Sequence, residues 1–239
     1  MSNYLNKNSI SIVIPVLNEK KNLIILTNKI YKNTKGLKLE IIFVDDNSDD
    51  GSDKVLKFLQ KKHKNFRCFI RKQNRDLTQS CFYGIKKSKY KIILIMDGDG
   101  QHNPKYIKKM LSILSSKKAD FVVGARKFKN INESLSFFRF YASKILIFLF
   151  KILFKLKTSD PMTGYFIFRK EFYYKYKKYF FGRGYKILAD LIYSTPKELK
   201  IVDYNIKFLK RHNAKSKMNL KVLLILIKFI IYKVIKLNR

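Results

Sequence analysis

The chain is poor in cysteine, histidine, proline, glycine and acid, and it has no long uncharged apolar run. Two cysteines, Cys68 and Cys81, sit within apolar stretches of the 239 residues. That excludes a disulfide scaffold and makes reduced, buried thiols the expectation. His63, His102 and His212 lie far apart in the sequence, so no zinc site can be assembled from Cys/His spacing. Nine glycines and four prolines leave little material for a flexible linker, and no internal repeat is visible. No stretch of about 20 uncharged apolar residues occurs, so a clean transmembrane helix is not expected. The first apolar run, Ser9–Leu17, is too short for a secretory signal, contains Pro15 and stops at Asn18-Glu19. No Gly-x-Gly-x-x-Gly follows it and no Walker loop occurs, which argues against a dinucleotide or P-loop site.

Acids are the scarcest charged class. Seventeen Asp and Glu face 52 Lys and Arg, a formal charge of +35. Such a chain is drawn to polyanions: nucleic acid, anionic lipid headgroups or phosphorylated substrates. AT-rich coding drift onto solvated faces accounts for part of the lysine excess. A nucleic-acid-binding module has only this charge behind it and no recognition motif, so no nucleic-acid partner is expected. The few acids tell more, because several cluster at Asp45, Asp46, Asp49 and Asp50, and at Asp97 and Asp99.

With 46% apolar and 15% aromatic residues, the chain can bury a real core. Its first half alternates short apolar runs with helical patterns. Strands are expected at Ser9–Val16, Glu40–Val44, Phe66–Arg71, Lys91–Met96 and Asp120–Val123. Helices are expected at Leu23–Tyr31, Ser52–Lys62, Thr78–Ser88 and after Asn103-Pro104, with Asn103 as N-cap and Pro104 in the first helical position. This alternation predicts an α/β fold, a mostly parallel sheet with helices on both faces. The second half predicts a long apolar helix over Glu133–Lys157, strands at Tyr165–Phe168 and Ile201–Phe208, helices near Lys170–Lys178 and Tyr185–Tyr193, and a terminal helix from Leu220.

Ligands of such sheets bind at the carboxyl ends of the strands. Val44-Asp45-Asp46-Asn47-Ser48-Asp49-Asp50-Gly51-Ser52 follows one strand. Asp45 and Asp46, closest to the strand end, can accept hydrogen bonds from a base or a ribose. Asp49, Asp50 and Ser52 read as caps of the next helix. Asp97-Gly98-Asp99-Gly100-Gln101 follows another strand. Gly98 lets both carboxylates turn toward one hard cation, and Gln101 adds a neutral oxygen.

At these residues the chain resembles the family-2 glycosyltransferases of GT-A fold, most of all the dolichyl-phosphate (polyprenyl-phosphate) mannose synthases. The resemblance runs in order through Ile14–Glu19, Val44–Gly51, Arg75–Gly84, Asp97–Pro104, Val123–Lys127, Ser159–Phe166, Gly184–Asp190 and Arg211–Lys217. It implies a hexosyltransferase moving mannose from GDP-mannose to a dolichyl or polyprenyl phosphate, with inversion. Pro15, Leu17, Glu19, Val44, Asp45, Asp46, Asp97 and Gly98 would hold the donor nucleotide. Asp97, Asp99 and Gln101 would bind Mg²⁺ or Mn²⁺. Arg126, Arg139, Ser143, Arg211 and Lys217 would gather the phosphates, and Asp99, Arg126 and Asp190 would serve the transfer itself. Asp190 is expected to orient a sugar hydroxyl or a basic residue. Ala214, Asp190 and Leu17 stand where the family pattern has glycine, glutamate and tyrosine. A UDP-sugar donor, or another acceptor, fits the same fold.

Two lysine-interrupted apolar segments suit a polyprenyl substrate. On Phe137–Leu156, Lys144, Lys151 and Lys155 fall on one helix face, as on an interfacial helix. Leu220–Leu237 carries Lys221, Lys228, Lys233 and Lys236, and suits the membrane surface or a small membrane-anchoring partner. The expected organisation is a catalytic domain over 1–217, with an interfacial helix near 134–156, and a membrane-associating helix over 218–239. The expected location is the cytoplasmic face of a membrane.

Overall fold

A computed structural model describes residues 9–126, 158–195, 198–209 and 220–237. The strands are Ile10–Val16 (β1), Leu39–Asp45 (β2), Phe66–Ile70 (β3), Ile92–Ile95 (β4), Phe121–Arg126 (β5), Phe166–Arg169 (β6) and Ile201–Ile206 (β7). The α-helices are Lys20–Asn33 (α1), Ser52–Lys62 (α2), Leu77–Lys87 (α3), Ile107–Ser116 (α4), Lys170–Tyr176 (α5), Ile187–Ile192 (α6) and Leu220–Leu237 (α7). Each lies within a few residues of its expected place. The long helix expected around Phe137–Leu156 lies outside the described residues.

The strands make one sheet in the order β3-β2-β1-β4-β6-β5-β7. β3, β2, β1 and β4 run parallel, and β7 runs parallel to β5. β6 is antiparallel to both β4 and β5, so the sheet is mixed though mostly parallel. Every residue of β1 and β2 is buried, because helices cover both sheet faces. Alternation along β1 divides its side chains between two cores. Ile10, Ile12, Ile14 and Val16 pack with Leu23, Leu56 and Leu111 of α1, α2 and α4. Val13 packs on the other face with Cys81, Phe82 and Ile85 of α3 and Leu188 of α6.

Short polar side chains start the helices. Asp50 Oδ1 accepts the Ser52 backbone N–H at 2.9 Å, and its Oδ2 accepts that of Lys20 at 2.9 Å. One carboxylate therefore serves the first turns of both α2 and α1. Asp49, expected to cap, instead pairs with Arg75 at 3.0 Å. Asn103 accepts the Lys105 N–H at 3.0 Å, and Pro104–Tyr106 forms a 3₁₀ turn that leads into α4.

Successive strands are laid on opposite sides of β1, with β2 on one side and β4 on the other. The crevice beyond the carboxyl ends of β1 and β4 is the place where such sheets take ligands. Gly98 closes the gap between the two strand ends. A Cβ there would stand 2.4 Å from Val16 Cγ1 and 3.3 Å from the Pro15 carbonyl, so only glycine fits.

Candidate active site

An open cleft of about 260 Å³ occupies that crevice. Its lining draws Pro15 from the end of β1 and Leu17 and Glu19 from the loop after it, Asp46 from the loop after β2, and Asp97, Gly98 and Asp99 from the loop after β4. These are seven of the sixteen expected site residues, brought together from three separate segments. Arg75, Leu77 and Ser80 add the α3 side, and Met162, Gly164, Tyr185, Lys186 and Ile187 complete the opposite wall. Val44, Asp45, Gln101, Arg126 and Asp190 are not among the lining residues. Arg139, Ser143, Arg211 and Lys217 lie outside the described residues.

The loops after β1 and β2 are laced to each other. The Asn18 N–H donates to Ser48 Oγ at 2.8 Å, and the Asp49 N–H donates to Asn18 Oδ1 at 3.0 Å. Asn18 and Asn47 take left-handed backbone, with φ of 57° and 63°, which asparagine tolerates. Glu19 is buried, and its Oε2 accepts the Asn22 side-chain N–H at 2.7 Å.

The two neighbouring acids of the first cluster part company. Asp45 ends β2, is fully buried, and accepts the hydroxyl and backbone N–H of Ser48. Burial raises its pKa, opposed by those hydrogen bonds. Asp46 faces the cleft, where it is ion-paired with Arg71 and accepts the backbone N–H of Asp76. Burial raises its pKa as well, and Arg71 opposes the rise. Asp45, expected to contact the nucleotide, accepts from Ser48 and so also shapes the turn that carries Asp46.

The Asp97/Asp99 pair has the donor chemistry of a hard-cation site. Asp99 is buried and its Oδ1 accepts the Gln101 N–H at 3.1 Å. Gly164 presses its backbone on Asp97, so that a Cβ there would lie 2.4 Å from Asp97 Oδ1. His102 supports Asp97 from behind. Its Nδ1 accepts the Asp97 N–H at 2.9 Å, which leaves the ring proton on Nε2, 3.6 Å from Asp97 Oδ2. The imidazole is stacked between Tyr165 and Phe208, and burial lowers its pKa despite the nearby acids. Two carboxylates facing a cleft fit Mg²⁺ or Mn²⁺ when the remaining positions are filled by substrate oxygens. Among the described residues no group of three or more His, Cys, Asp or Glu could hold a metal ion by itself.

Arg126 and Asp190 are each engaged by a partner distant in sequence. Arg126, at the end of β5, makes a two-pronged ion pair with Asp160, Nε to Oδ2 at 2.7 Å and Nη2 to Oδ1 at 2.9 Å. Asp190 is neither on the helix surface nor in the cleft. Its oxygens accept the N–H groups of Phe181 at 2.9 Å and Gly182 at 2.7 Å, and Oδ1 lies 2.7 Å from Lys233 Nζ. Buried and held by these donors, it lies away from the cleft lining, and the basic residue it meets is Lys233.

The sequence reading passed over Lys186. It is half-buried on the cleft wall, and among the described residues its ammonium makes no hydrogen bond or ion pair. Burial, reinforced by the Arg126 cation and opposed by Asp160 and Asp97, pulls it down to about 8. The signal was present in Gly184-Tyr185-Lys186, but one lysine among so many carries no weight until the fold places it.

Comparison with known proteins follows the same lines. The chain is similar to the dolichol-phosphate mannosyltransferase of Pyrococcus furiosus, with 30% identity over 217 residues, 90% of this chain and 60% of that protein. It is 28% identical over 224 residues to the dolichol-phosphate mannosyltransferase of Mycosarcoma maydis, 90% of this chain and 75% of that one. Its fold is like that of glucosyl-3-phosphoglycerate synthase from Mycobacterium tuberculosis, solved with Mn²⁺, UDP-glucose and phosphoglyceric acid. The TM-score there is 0.69 at 17% identity, covering 99% of this chain and 83% of that one. The family described as Glycosyl transferase family 2 matches residues 11–177, the span that builds both carboxylate loops and the Gly164 wall. On that match, and on the cleft these segments form, the chain belongs to glycosyl transferase family 2 and is a glycosyltransferase.

Proposed function

We propose that this glycosyltransferase moves mannose from GDP-mannose to a dolichyl or polyprenyl phosphate, with inversion, at the cytoplasmic face of a membrane. The observation that carries the reading is the meeting of three groups in one cleft: the Asp97/Asp99 pair, the nucleotide-side acids Glu19 and Asp46, and the cation of Lys186. The names of the Pyrococcus and Mycosarcoma relatives support mannose as the sugar and dolichol phosphate as the acceptor.

In this reading Pro15, Leu17, Glu19 and Asp46 hold the nucleoside, with Val44 and Asp45 behind them shaping the turn. Asp97 and Asp99 hold Mg²⁺ or Mn²⁺ on the diphosphate, with Gln101 as the neutral oxygen donor nearby. When bound, the ion neutralises the charge that builds on the departing diphosphate. Lys186 contributes a second positive charge on the facing wall, preorganised in a poorly hydrated place where it acts strongly. Arg126, held by Asp160, and Arg139, Ser143, Arg211 and Lys217 gather the acceptor phosphate. That phosphate is already ionised near neutrality, so it needs positioning more than a general base. Asp190 serves by holding the wall rather than by touching the sugar.

The membrane surface is supported by α7. Its outward Ile227, Ile231 and Ile235 are exposed, with Lys228 beside them. An apolar stripe edged by lysine, on a chain of charge +35, suits an anionic bilayer surface. Among the described residues no helix is long and apolar enough to cross a membrane.

A sugar-transfer assay tests the reading. Radiolabelled GDP-mannose and UDP-glucose are each offered with a short polyprenyl phosphate, with and without EDTA. The expected product is a mannosyl phospholipid of inverted configuration, lost on chelation. Transfer from UDP-glucose in its place would replace the donor assignment, and transfer only to a water-soluble acceptor would replace the lipid.

A further inference from the structure

The terminal helix α7 turns a second face inward, opposite the exposed isoleucines. Ile225, Phe229, Tyr232 and Lys233 recur at helical spacing along this face, and all four meet one short segment, Phe181–Asp190. Ile225 Cγ2 lies 2.7 Å from where a Cβ on Gly184 would stand, and Gly184 has φ of +90°. Phe181 packs edge-on against Phe229 at 5.8 Å and tilted against Tyr232 at 5.4 Å between ring centroids. Lys233 is 1% exposed, unusual for a lysine on a helix that ends the described chain. Its ammonium reaches Asp190 Oδ1 at 2.7 Å and the Tyr179 carbonyl at 3.2 Å, and also Ser194 Oγ.

The same segment is tied from the other side to the donor end of the cleft. The Gly184 N–H donates to Asp76 Oδ2 at 2.7 Å, and the Gly184 carbonyl accepts from the N–H and hydroxyl of Thr78. Asp76 in turn donates its own N–H to Asp46. Tyr185 and Lys186, which follow Gly184 directly, form the cleft wall. The wall is thus suspended between α7 and the acid that faces the nucleotide pocket.

We propose that Lys233 is a positioning residue of the active site: through Asp190 and the Phe181–Gly184 turn, it holds Tyr185 and Lys186 in the cleft. A buried ion pair is a poor device for stability alone, since an apolar pair of similar volume seats a helix as well or better. What it adds is a fixed geometry, because the Asp190 carboxylate must satisfy Lys233 and two backbone N–H groups together. Seating of the terminal helix and order of the cleft wall are then linked, and each favours the other. The inference rests on the family assignment of the cleft and not on which sugar or lipid is used.

The test uses the full chain. Lys233→Met leaves Asp190 as an unpaired buried charge and is expected to lose stability. The double variant Lys233→Met with Asp190→Asn removes both charges and keeps the volumes, so it is expected to fold; because the amide also gives up one acceptor of the Phe181 and Gly182 N–H groups, it is read against Asp190→Asn alone, in which Lys233 is kept. In the double variant, amide hydrogen exchange over Phe181–Lys186 should quicken by about tenfold or more, as expected of a segment released from local order. Titration with Mn²⁺ plus GDP, and separately with Mn²⁺ plus UDP, should show weaker binding than in the parent. In the parent, the nucleotide that binds should also slow exchange along α7. Unchanged exchange at Tyr185 and Lys186 would overturn the proposal. Quicker exchange with unchanged nucleotide binding would overturn it too, since the pair would then be structural only. The exchange readout is independent of the nucleotide, so failure of the GDP assignment and failure of the clamp are separate results.

Discussion

Asp160 grips the guanidinium of Arg126 with both oxygens, at 2.7 and 2.9 Å, and also accepts the Arg126 backbone N–H at 3.2 Å. Asp160 is fully buried while the arginine side chain remains partly open. The same guanidinium lies over the Phe208 ring at 5.4 Å. A guanidinium held between a carboxylate and an aromatic face keeps one orientation, and for a phosphate-binding fork orientation is the useful property.

Asp160→Asn is therefore expected to act through Arg126. The amide keeps the size but loses the charge and one acceptor. We expect transfer to fall about tenfold or more, equivalent to about 1.4 kcal/mol in the barrier, with the loss in the dependence on acceptor phosphate. Arg126→Lys should give a similar loss, because a point charge cannot take both Asp160 oxygens. Steady-state kinetics across an acceptor titration checks both, and an unchanged acceptor dependence in both would remove Arg126 from the acceptor site.

Asp99→Asn should abolish transfer without unfolding the chain. A neutral amide binds Mg²⁺ or Mn²⁺ far less well than a carboxylate. Loss of transfer with a parent-like melting temperature is the expected pair of results. An active Asp99→Asn enzyme would sink the metal assignment.

Gly164→Ala tests the wall that presses on Asp97. The new methyl group would stand 2.4 Å from Asp97 Oδ1 and 2.7 Å from Oδ2. Relief requires the carboxylate or the backbone to move, at about 1–3 kcal/mol. The melting temperature should drop, and metal-dependent transfer should drop further than stability alone accounts for. Activity normal at a temperature where the variant is fully folded would show that Asp97 has room to yield.

Lys186→Met removes the cation that has no protein partner among the described residues. Since the parent pays for holding that charge in a poorly hydrated place, the variant should be as stable as the parent or more so. Transfer should fall nonetheless, by about tenfold or more if the ammonium meets a phosphate oxygen. Thermal melting and kinetics on the same preparation separate the two effects. Unchanged kinetics would make Lys186 a bystander on the wall.

Replacing Ile227, Ile231 and Ile235 together by serine should release the chain from anionic vesicles while leaving the inner face of α7 seated. Sedimentation with vesicles rich in phosphatidylserine reads the first effect, and nucleotide binding reads the second. If the variant still sediments, the attachment lies in the segment around Phe137–Leu156 instead.

Much of the architecture could be read from local pattern. The apolar runs at Ile10–Val16, Leu39–Asp45 and Ile92–Ile95 are continuous because both faces are covered, and that continuity is visible in one dimension. Asp97-Gly98-Asp99 was legible for the same reason, since carboxylates following directly on a buried strand have few structural uses. The order of the motifs was enough to indicate the family.

What the sequence by itself determined about this protein was therefore the α/β alternation, the strand ends that build the cleft, and the glycosyltransferase family. Only the tertiary structure decided which acids line the cleft and which partner holds each. Asp45 and Asp46 are adjacent, and since both faces of β2 are buried, alternation cannot say which one faces the cleft. Asp190 reads as a helix acid until Lys233, 43 residues later, is packed on it. Asp160 reads as part of a turn until Arg126, 34 residues earlier, is brought against it. Periodicity records which face of an element is apolar. The partner of a buried charge is set by packing between elements distant in sequence, and in this protein those partners fix where Asp46, Asp160 and Asp190 sit.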